Sequence, residues 1–502
     1  MSEEKISKDI IIIALVAVLG ALPPMLDATI INIAINDLAK TFSATLATTQ
    51  WVVTGYTLAL GIAVPFSGWL IQKFDGKKIF MSALGVFLLS SLLSGLSWNI
   101  PSLIAFRLLQ GFASGLMIPT LTTLLVQLAG GDHIGRLMSI VGIPIVLGPI
   151  LGPVIGGLIL QYLNWNWLFF VNLPVGAIAL CLIQWKLPAF EASNKYAKLD
   201  WLGVLLLAVV SGFCIYGIIE VGRADGLMTG ILAIITGVLA AVAYINYAWR
   251  MRGQALIPLA LFQSRNFSAA FVSLFLAGFA TNGPMLLLPM FFQNVRSLDV
   301  ITSALWLIPQ GVGMLVARPL IGQMTDKIGA RWVVLPSIVL TILGTLPFIF
   351  FDNGTEAWMI WTVLAVRGMG VGGFTIPVMS DSYVGLQKPQ VPQASVVTRI
   401  VQNIGAAFGS ALLATVVANS FTGNAHSLSN TIVAYHMSFI VSLIFMVISI
   451  LPALFLTNKL RRSVSEGRIN LYQYYQYLSR RNKRQFHPEK SDKLATIRRK
   501  PA

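Results

Sequence analysis

The sequence predicts an all-α integral membrane protein. Three observations carry that prediction: a succession of apolar runs long enough to cross a bilayer, basic residues gathered in alternate connections, and a loop pattern that returns after eight spans. Of 502 residues, 56% are hydrophobic and 11% charged, and the mean hydropathy of +0.77 is far above that of a soluble globular chain. A helix needs about 20 apolar residues to cross roughly 30 Å of hydrocarbon. Fourteen runs meet that length, near residues 10–35, 47–71, 79–98, 101–128, 137–163, 166–187, 200–221, 227–249, 267–294, 301–325, 332–351, 358–380, 395–420 and 433–457. The first is too long for a signal-peptide core and lacks a small-residue cleavage site, so it is expected to stay as an anchor.

Charge placement orients the runs. With both termini cytoplasmic, Lys and Arg should collect in alternate connections. One set of connections holds fifteen, among them Lys73, Lys77, Lys78, Arg136, Lys327 and Arg331, and the other holds Lys40, Arg223 and Arg296. That imbalance puts both ends in the cytoplasm and explains much of the net charge of +16 without nucleic acid. The tail after Asn458 adds thirteen basic residues, as expected for a solvated segment beside anionic lipid. Cys181 and Cys214 lie in apolar runs and predict no disulfide framework. The four histidines have no metal-binding spacing.

The repeat divides the chain. GWLIQKFDGKK (Gly68 to Lys78) between spans two and three is echoed 254 residues on by GQMTDKIGAR (Gly322 to Arg331), between spans ten and eleven. AFRLLQGFASGLMIP (Ala105 to Pro119) in span four is echoed by AVRGMGVGGFTIP (Ala365 to Pro377) in span twelve. Matching loops eight spans apart imply two six-helix bundles, residues 1–190 and 261–458, with an inserted helix pair at 191–260 and a basic tail at 459–502. Parallel repeats of this kind are typical of major facilitator transporters.

Four motifs in this order resemble the fourteen-span drug:proton antiporters of the major facilitator superfamily. They are LDATIINIAI in span one, the span-four pattern with Arg107, Gln110 and Gly111, GIPIVLGPILGPVIGG (Gly142 to Gly157) in span five, and the loop motif in two copies. The resemblance covers residues 10–458 and implies a major facilitator fold with 14 transmembrane helices. In the family loop an acid stands four residues after the first Gly. Here that position is Gln72, with Asp75 displaced beyond it, while the second copy keeps Asp326. Asp75 is the candidate replacement. The gate-loop residues are then Gly68, Asp75, Gly76, Lys77, Gly322, Asp326, Gly329 and Arg331.

In span five Gly142, Gly148, Gly152, Gly156 and Gly157 lie largely at four-residue intervals, which lets a neighbouring backbone approach one helix face. Pro149 and Pro153 each remove a backbone hydrogen bond. Packing alone accounts for such a pattern, but the resemblance implies the antiporter motif, a water-tight seam between the two halves.

Asp27 lies about eight residues from the outer end of span one, roughly 12 Å deep at 1.5 Å per residue. An ionised acid there costs several kcal/mol unless it meets water or a partner. Arg107 enters span four to roughly 9 Å, within one turn of the same level. The pair is the candidate for proton coupling, and in relatives the corresponding residues are associated with that role; the competing reading is a permanent ion pair that fixes helix packing. Arg318, Arg367 and Arg399 are also embedded, Arg318 and Arg399 close enough to span ends to snorkel outward. One acid against four arginines favours neutral, monocationic or zwitterionic cargo over dications.

Substrate sites in such transporters lie near the midplane between the halves. The candidate pocket takes polar and aromatic residues of the lining spans: Trp51, Tyr56, Met117, Asn282, Phe292, Gln293, Trp306, Gln310 and Asn403. Aromatic and Met side chains suit varied lipophilic molecules. The function expected is therefore a proton-coupled exporter of lipophilic or amphipathic small molecules in a bacterial plasma membrane. It would act as a monomer whose partners are substrate, protons and membrane lipid. A dedicated exporter of one metabolite, peptide or lipid precursor on the same fold is the competing reading. No Walker-type glycine loop appears, and no cofactor beyond the proton gradient is expected.

Overall fold

In a computed structural model, described for residues 8–129, 134–190, 192, 199–221, 226–251, 255–387, 390–419 and 428–458, every regular element among the described residues is helical. The long helices are α1 (Lys8–Ile30), α2 (Leu46–Lys73), α3 (Gly76–Gly95), α4 (Ile100–Ala129), α5 (Ile134–Tyr162), α6 (Asn172–Lys186) and α7 (Trp201–Val221). They continue with α8 (Leu227–Arg250), α9 (Arg265–Arg296), α10 (Ile308–Ile328), α11 (Arg331–Leu343), α12 (Ala357–Ser382), α13 (Val391–Asn419) and α14 (Leu428–Ile448). Among the described residues 13 stretches are long and apolar enough to cross a membrane. Helix α5, of 29 residues, occupies the fifth apolar run. The basic tail at 459–502 lies outside the described residues.

The starts of the elements follow from their capping residues. Asp75 caps α3, its carboxylate accepting the Lys77 N–H at 2.8 Å, and Ser264 caps α9. Helix α1 runs through Pro23 and Pro24 and then tightens into a 3-10 turn at Ile31–Ala34, so the first run is not one uniform helix to residue 35.

Packing repeats as the sequence does. In the N-terminal part α1 packs on α5 and α6, α2 on α4, and α3 on α4 and α6. Eight helices on, α9 packs on α13 and α14, α10 on α12, and α11 on α12 and α14. Small residues set the tightest approaches: Gly111 and Gly115 of α4 lie against the carbonyls of Tyr56 and Leu60 on α2, and Gly368 of α12 lies against the Gln310 carbonyl on α10. Without a hydrophobic drive between helices in lipid, such backbone proximity is what association uses. Helices α7 and α8 pair with each other, and α7 also touches both α2 and α13.

The two repeats meet through α5 with α10 and α12, and through α13 with α2 and α4. The contacts that name residues cluster at the end carrying the basic loops. There the Gly135 N–H, in the first turn of α5, donates to Asp326 Oδ1 on α10 at 2.9 Å, and Thr123 on α4 bonds Ser395 on α13 at 3.0 Å. Gly68 on α2 packs against Val396 on α13. The molecule is closed at that end.

Candidate functional site

Asp27 is 0% exposed. Its Oδ2 pairs with Arg107 Nη1, and its Oδ1 accepts from Gln110 Nε2 at 3.1 Å and from Asn172 Nδ2 at 3.0 Å. Arg107, also 0% exposed, donates from Nη1 to Gln110 Oε1 at 2.8 Å and from Nε to the Val52 carbonyl at 3.1 Å. Its guanidinium lies 4.1 Å from the centre of the Tyr56 ring, a cation–π contact that desolvation strengthens. Asn172 is held in turn by Ser91 Oγ at 3.1 Å, and Ser91 donates to the Phe169 carbonyl at 2.9 Å. Helices α1, α2, α3, α4 and α6 thus each supply part of one buried polar network. Its carboxylate is the only acid in it.

A buried ion pair survives only when its remaining hydrogen-bonding capacity is used. Gln110 and Asn172 fill that need on Asp27, while Arg107 Nη2 stays buried without a hydrogen-bond partner.

The C-terminal repeat holds the counterpart without the acid. Arg367 is 1% exposed and all three of its nitrogens are engaged: Nη1 with Gln310 Oε1 at 2.6 Å, Nε with Thr345 Oγ1 at 3.2 Å, and Nη2 with the Ala280 carbonyl at 3.1 Å. Gln310 and Thr345 stand 254 residues after Tyr56 and Ser91, the spacing of the loop repeat. The same scaffold carries an ion pair in one half and, in the other, an arginine met by uncharged acceptors.

Several expectations are corrected. Gly148 and Gly152 of span five approach α1, not the other half: a Cβ on Gly148 would stand 2.6 Å from the Met25 carbonyl, and one on Gly152 would meet Thr29 Oγ1. Thr29 Oγ1 also donates to the Gly148 carbonyl at 2.9 Å. Gly148 and Gly152 therefore seat α1 on both sides of Asp27, and the hydrogen bonds of α5 to the second half are made by Gly135 and Ser139. Gly156 and Gly157 are buried. The side chains of Pro149 and Pro153, and the surroundings of Gly142, lie outside the described residues. Gly148→Val is expected to lower transport per folded molecule at least tenfold, because the added branches displace α1 and with it Asp27. Parent-like transport by correctly folded protein would refute this.

Asp75 does not replace the missing loop acid. Its carboxylate caps α3 and accepts the Phe190 N–H at 3.2 Å, while Gly76 N–H meets the Phe190 carbonyl and Lys77 Nζ reaches the carbonyls of Gln184 and Leu187. In the second copy the Arg331 N–H donates to the Thr457 carbonyl at 3.0 Å and Gly329, at φ 87°, lies against Asn458. Each loop motif thus grips the last helix end of its own repeat. Of the described loop-motif residues Asp326 is the one seen to bond the other half, and Gln72 Nε2 is buried without a hydrogen-bond partner.

Arg318 does not snorkel, while Arg399 is half-buried on α13 with its Nε enclosed. Arg318 is 5% exposed and reaches the Ser139 carbonyl on α5 at 3.5 Å.

The nine pocket candidates do not converge. Tyr56 and Gln310 belong to the arginine networks, the Tyr56 hydroxyl donating to Ser114 Oγ at 2.9 Å and the Pro24 carbonyl at 3.2 Å. Met117 is in the core. Phe292 and Trp306 stack in an aromatic cluster with Trp361, capped by the Arg296 guanidinium. Trp51 is 40% exposed and shares an apolar groove with Tyr216 of α7. Asn282 is exposed on α9, and Gln293 and Asn403 are half-buried on α9 and α13. Asn172 and Ser91 were missed; a lone amide in the apolar run of span six was the available signal.

Comparison with known proteins places this geometry. The sequence model of the Major Facilitator Superfamily matches residues 17–410. The chain belongs to the major facilitator superfamily. This facilitator is 32% identical to the "Multidrug resistance protein B homolog" of Mycobacterium tuberculosis over 81% of its own length and 76% of the relative's. It is 29% identical to the "Multidrug export protein EmrB" of Haemophilus influenzae, over 80% and 79%. With the "Lincomycin resistance protein LmrB" of Bacillus subtilis it shares 27% identity over 78% and 82%. Its fold is that of the proton:xylose symporter XylE (TM-score 0.59, 16% identity, covering 88% of this chain and 96% of that one). The human organic anion transporter MFSD10 is similar to the same degree (0.59, 14%, 88% and 100%). It is a multi-pass membrane transporter.

Proposed function

We propose that this transporter is a proton-coupled exporter of lipophilic or amphipathic small molecules, acting as a monomer in a bacterial plasma membrane. Fourteen spans with both termini cytoplasmic would arrange it as two six-helix bundles with α7 and α8 inserted between them. The observation that carries the reading is the sealed network around Asp27, with a single carboxylate that can gain or lose a charge against Arg107. Multidrug relatives support the class of cargo.

In this reading the state described is closed to the cytoplasm, since the seam is shut at the basic-loop end. A proton arriving from outside neutralises Asp27 and frees Arg107. The cytoplasmic seam then opens, cargo binds, and the proton leaves inward. With a negative interior the membrane potential contributes about 2.3 kcal/mol per charge per 100 mV.

Inside-out vesicles carrying the parent protein and a preformed pH gradient test this directly. Lipophilic compounds should collapse the gradient in proportion to the amount of transporter. A gradient untouched by every compound, in vesicles where the protein is folded, would remove the drug-antiport reading.

A further inference from the structure

Of the four arginines embedded in the membrane, Arg107 is answered by the Asp27 carboxylate, with only its Nη2 buried and unpartnered, and Arg367 has every nitrogen engaged. The other two are left short. Arg318 on α10 has Nη1 at 3.5 Å from the Ser139 carbonyl, and its buried Nε has no hydrogen-bond partner. Arg399 on α13 has Nη1 at 3.4 Å from Gln402 Oε1, and its Nε is likewise buried and unpartnered.

Both arginines are on helices of the seam between the halves, and Arg318 reaches across to α5. Each stands about one turn deeper than a closing contact of its own helix: Gly322, against Gly135, follows Arg318 by four residues, and Ser395, bonded to Thr123, precedes Arg399 by four. Both residues therefore lie one turn inside the closed end of the seam.

No acid of these helices is available to them. Helices α2, α4, α5 and α13 contain no Asp or Glu, and α10 contains only Asp326, two turns from Arg318 and bonded to Gly135. Buried charge without a partner is costly, and a guanidinium presents a planar fork of donors matched to a carboxylate.

We propose that Arg318 and Arg399 form an anion-binding floor, and that the cargo includes amphipathic organic monoanions whose carboxylate docks there while the apolar body lies toward the midplane. This rests on the exporter reading and narrows it, moving the preferred cargo from neutral or cationic toward acidic molecules.

The test uses 2-naphthoate and its size-matched cation 2-naphthylmethylammonium, with the purified full chain, in two measurements. Equilibrium binding should show 2-naphthoate held by the parent and at least tenfold more weakly by Arg318→Gln and Arg399→Gln. Arg318→Lys and Arg399→Lys, which keep the charge but lose the fork, should fall between. In proteoliposomes with a pH gradient, the ratio of 2-naphthoate to cation transport should fall at least tenfold in the Gln variants. No anion binding to the parent, or equal binding by parent and folded Gln variants, overturns the proposal. Arginine-dependent binding with no gradient-driven movement of either probe would instead uphold the floor and overturn the exporter reading.

Discussion

Asp27→Asn is expected to reduce substrate-driven proton movement to less than about a hundredth of the parent rate. The amide has the shape of the carboxylate and can still accept from Gln110 or Arg107, so the helices can stay in register. It cannot take up or release a proton. The change also leaves Arg107 buried, 0% exposed, with its carboxylate partner gone. Removing one member of a buried pair costs about 3–5 kcal/mol, so thermal unfolding of the purified variant should move well below that of the parent. Asp27→Asn/Arg107→Gln, which removes both charges, should recover much of that stability and none of the coupling. The two readouts separate the roles: parent-like proton movement in Asp27→Asn would make the pair purely architectural, and a double variant no more stable than the single would mean that the unpaired charge is not what destabilises it.

The second large effect is on the conformational balance. Asp326→Asn is expected to shift the closed seam toward its open form by about 5- to 30-fold. Asp326 Oδ1 accepts the Gly135 N–H in the first turn of the 29-residue α5, where a negative charge meets the positive end of the helix dipole. Charge-assisted contacts of this kind are worth about 1–2 kcal/mol, and that energy sets the size of the shift. Thr123 and Ser395, whose hydroxyls are 3.0 Å apart, report it. With both replaced by Cys, cross-linking should be efficient in the otherwise unchanged protein and fall clearly once Asp326→Asn is added. Asp75→Asn is the control: Asp75 bonds only groups of its own repeat, so the cross-link should persist. If Asp75→Asn opened the seam and Asp326→Asn did not, the assignment of the lock would be reversed.

What the sequence made legible here is position along the membrane normal. Apolar length located the helices, and a rise of 1.5 Å per residue put Asp27 and Arg107 within one turn of each other; the structure has them in direct contact. Rotation about the helix axis was far less legible. Arg318 lies at a depth from which a long side chain could reach headgroups, yet its helix turns it into the seam. The glycines of span five announce a close approach through their spacing, but spacing does not say which neighbour approaches, and the answer is α1. Asp75 and Gln72 differ by three residues, but Gln72 is in the last turn of α2 while Asp75 lies beyond its end, where it caps α3 and bonds Phe190 of its own repeat. Convergence of side chains from helices far apart in sequence, as in Asn172 meeting Asp27 across 145 residues, depends on all of these rotations at once.

Helix α7 touches α2 and α13 together, and these are the two helices that must part when the seam opens. A wedge in that place cannot keep both neighbours. It is tied on one side: Asp200, just before α7, bonds the Leu256 N–H and the Tyr247 hydroxyl, and the Tyr244 hydroxyl of α8 holds Ile257, in the strand of chain that leads into α9. Both flanks of the wedge are apolar: the groove between α7 and α2 is lined by Trp51, Leu58, Ile62 and Leu205, and the one that α7 and α8 form with α13 by Val210, Ile245, Val397 and Ile404. A parting of α2 and α13 would therefore uncover an apolar face of α7 on whichever side it left, a face that lipid can cover at little cost.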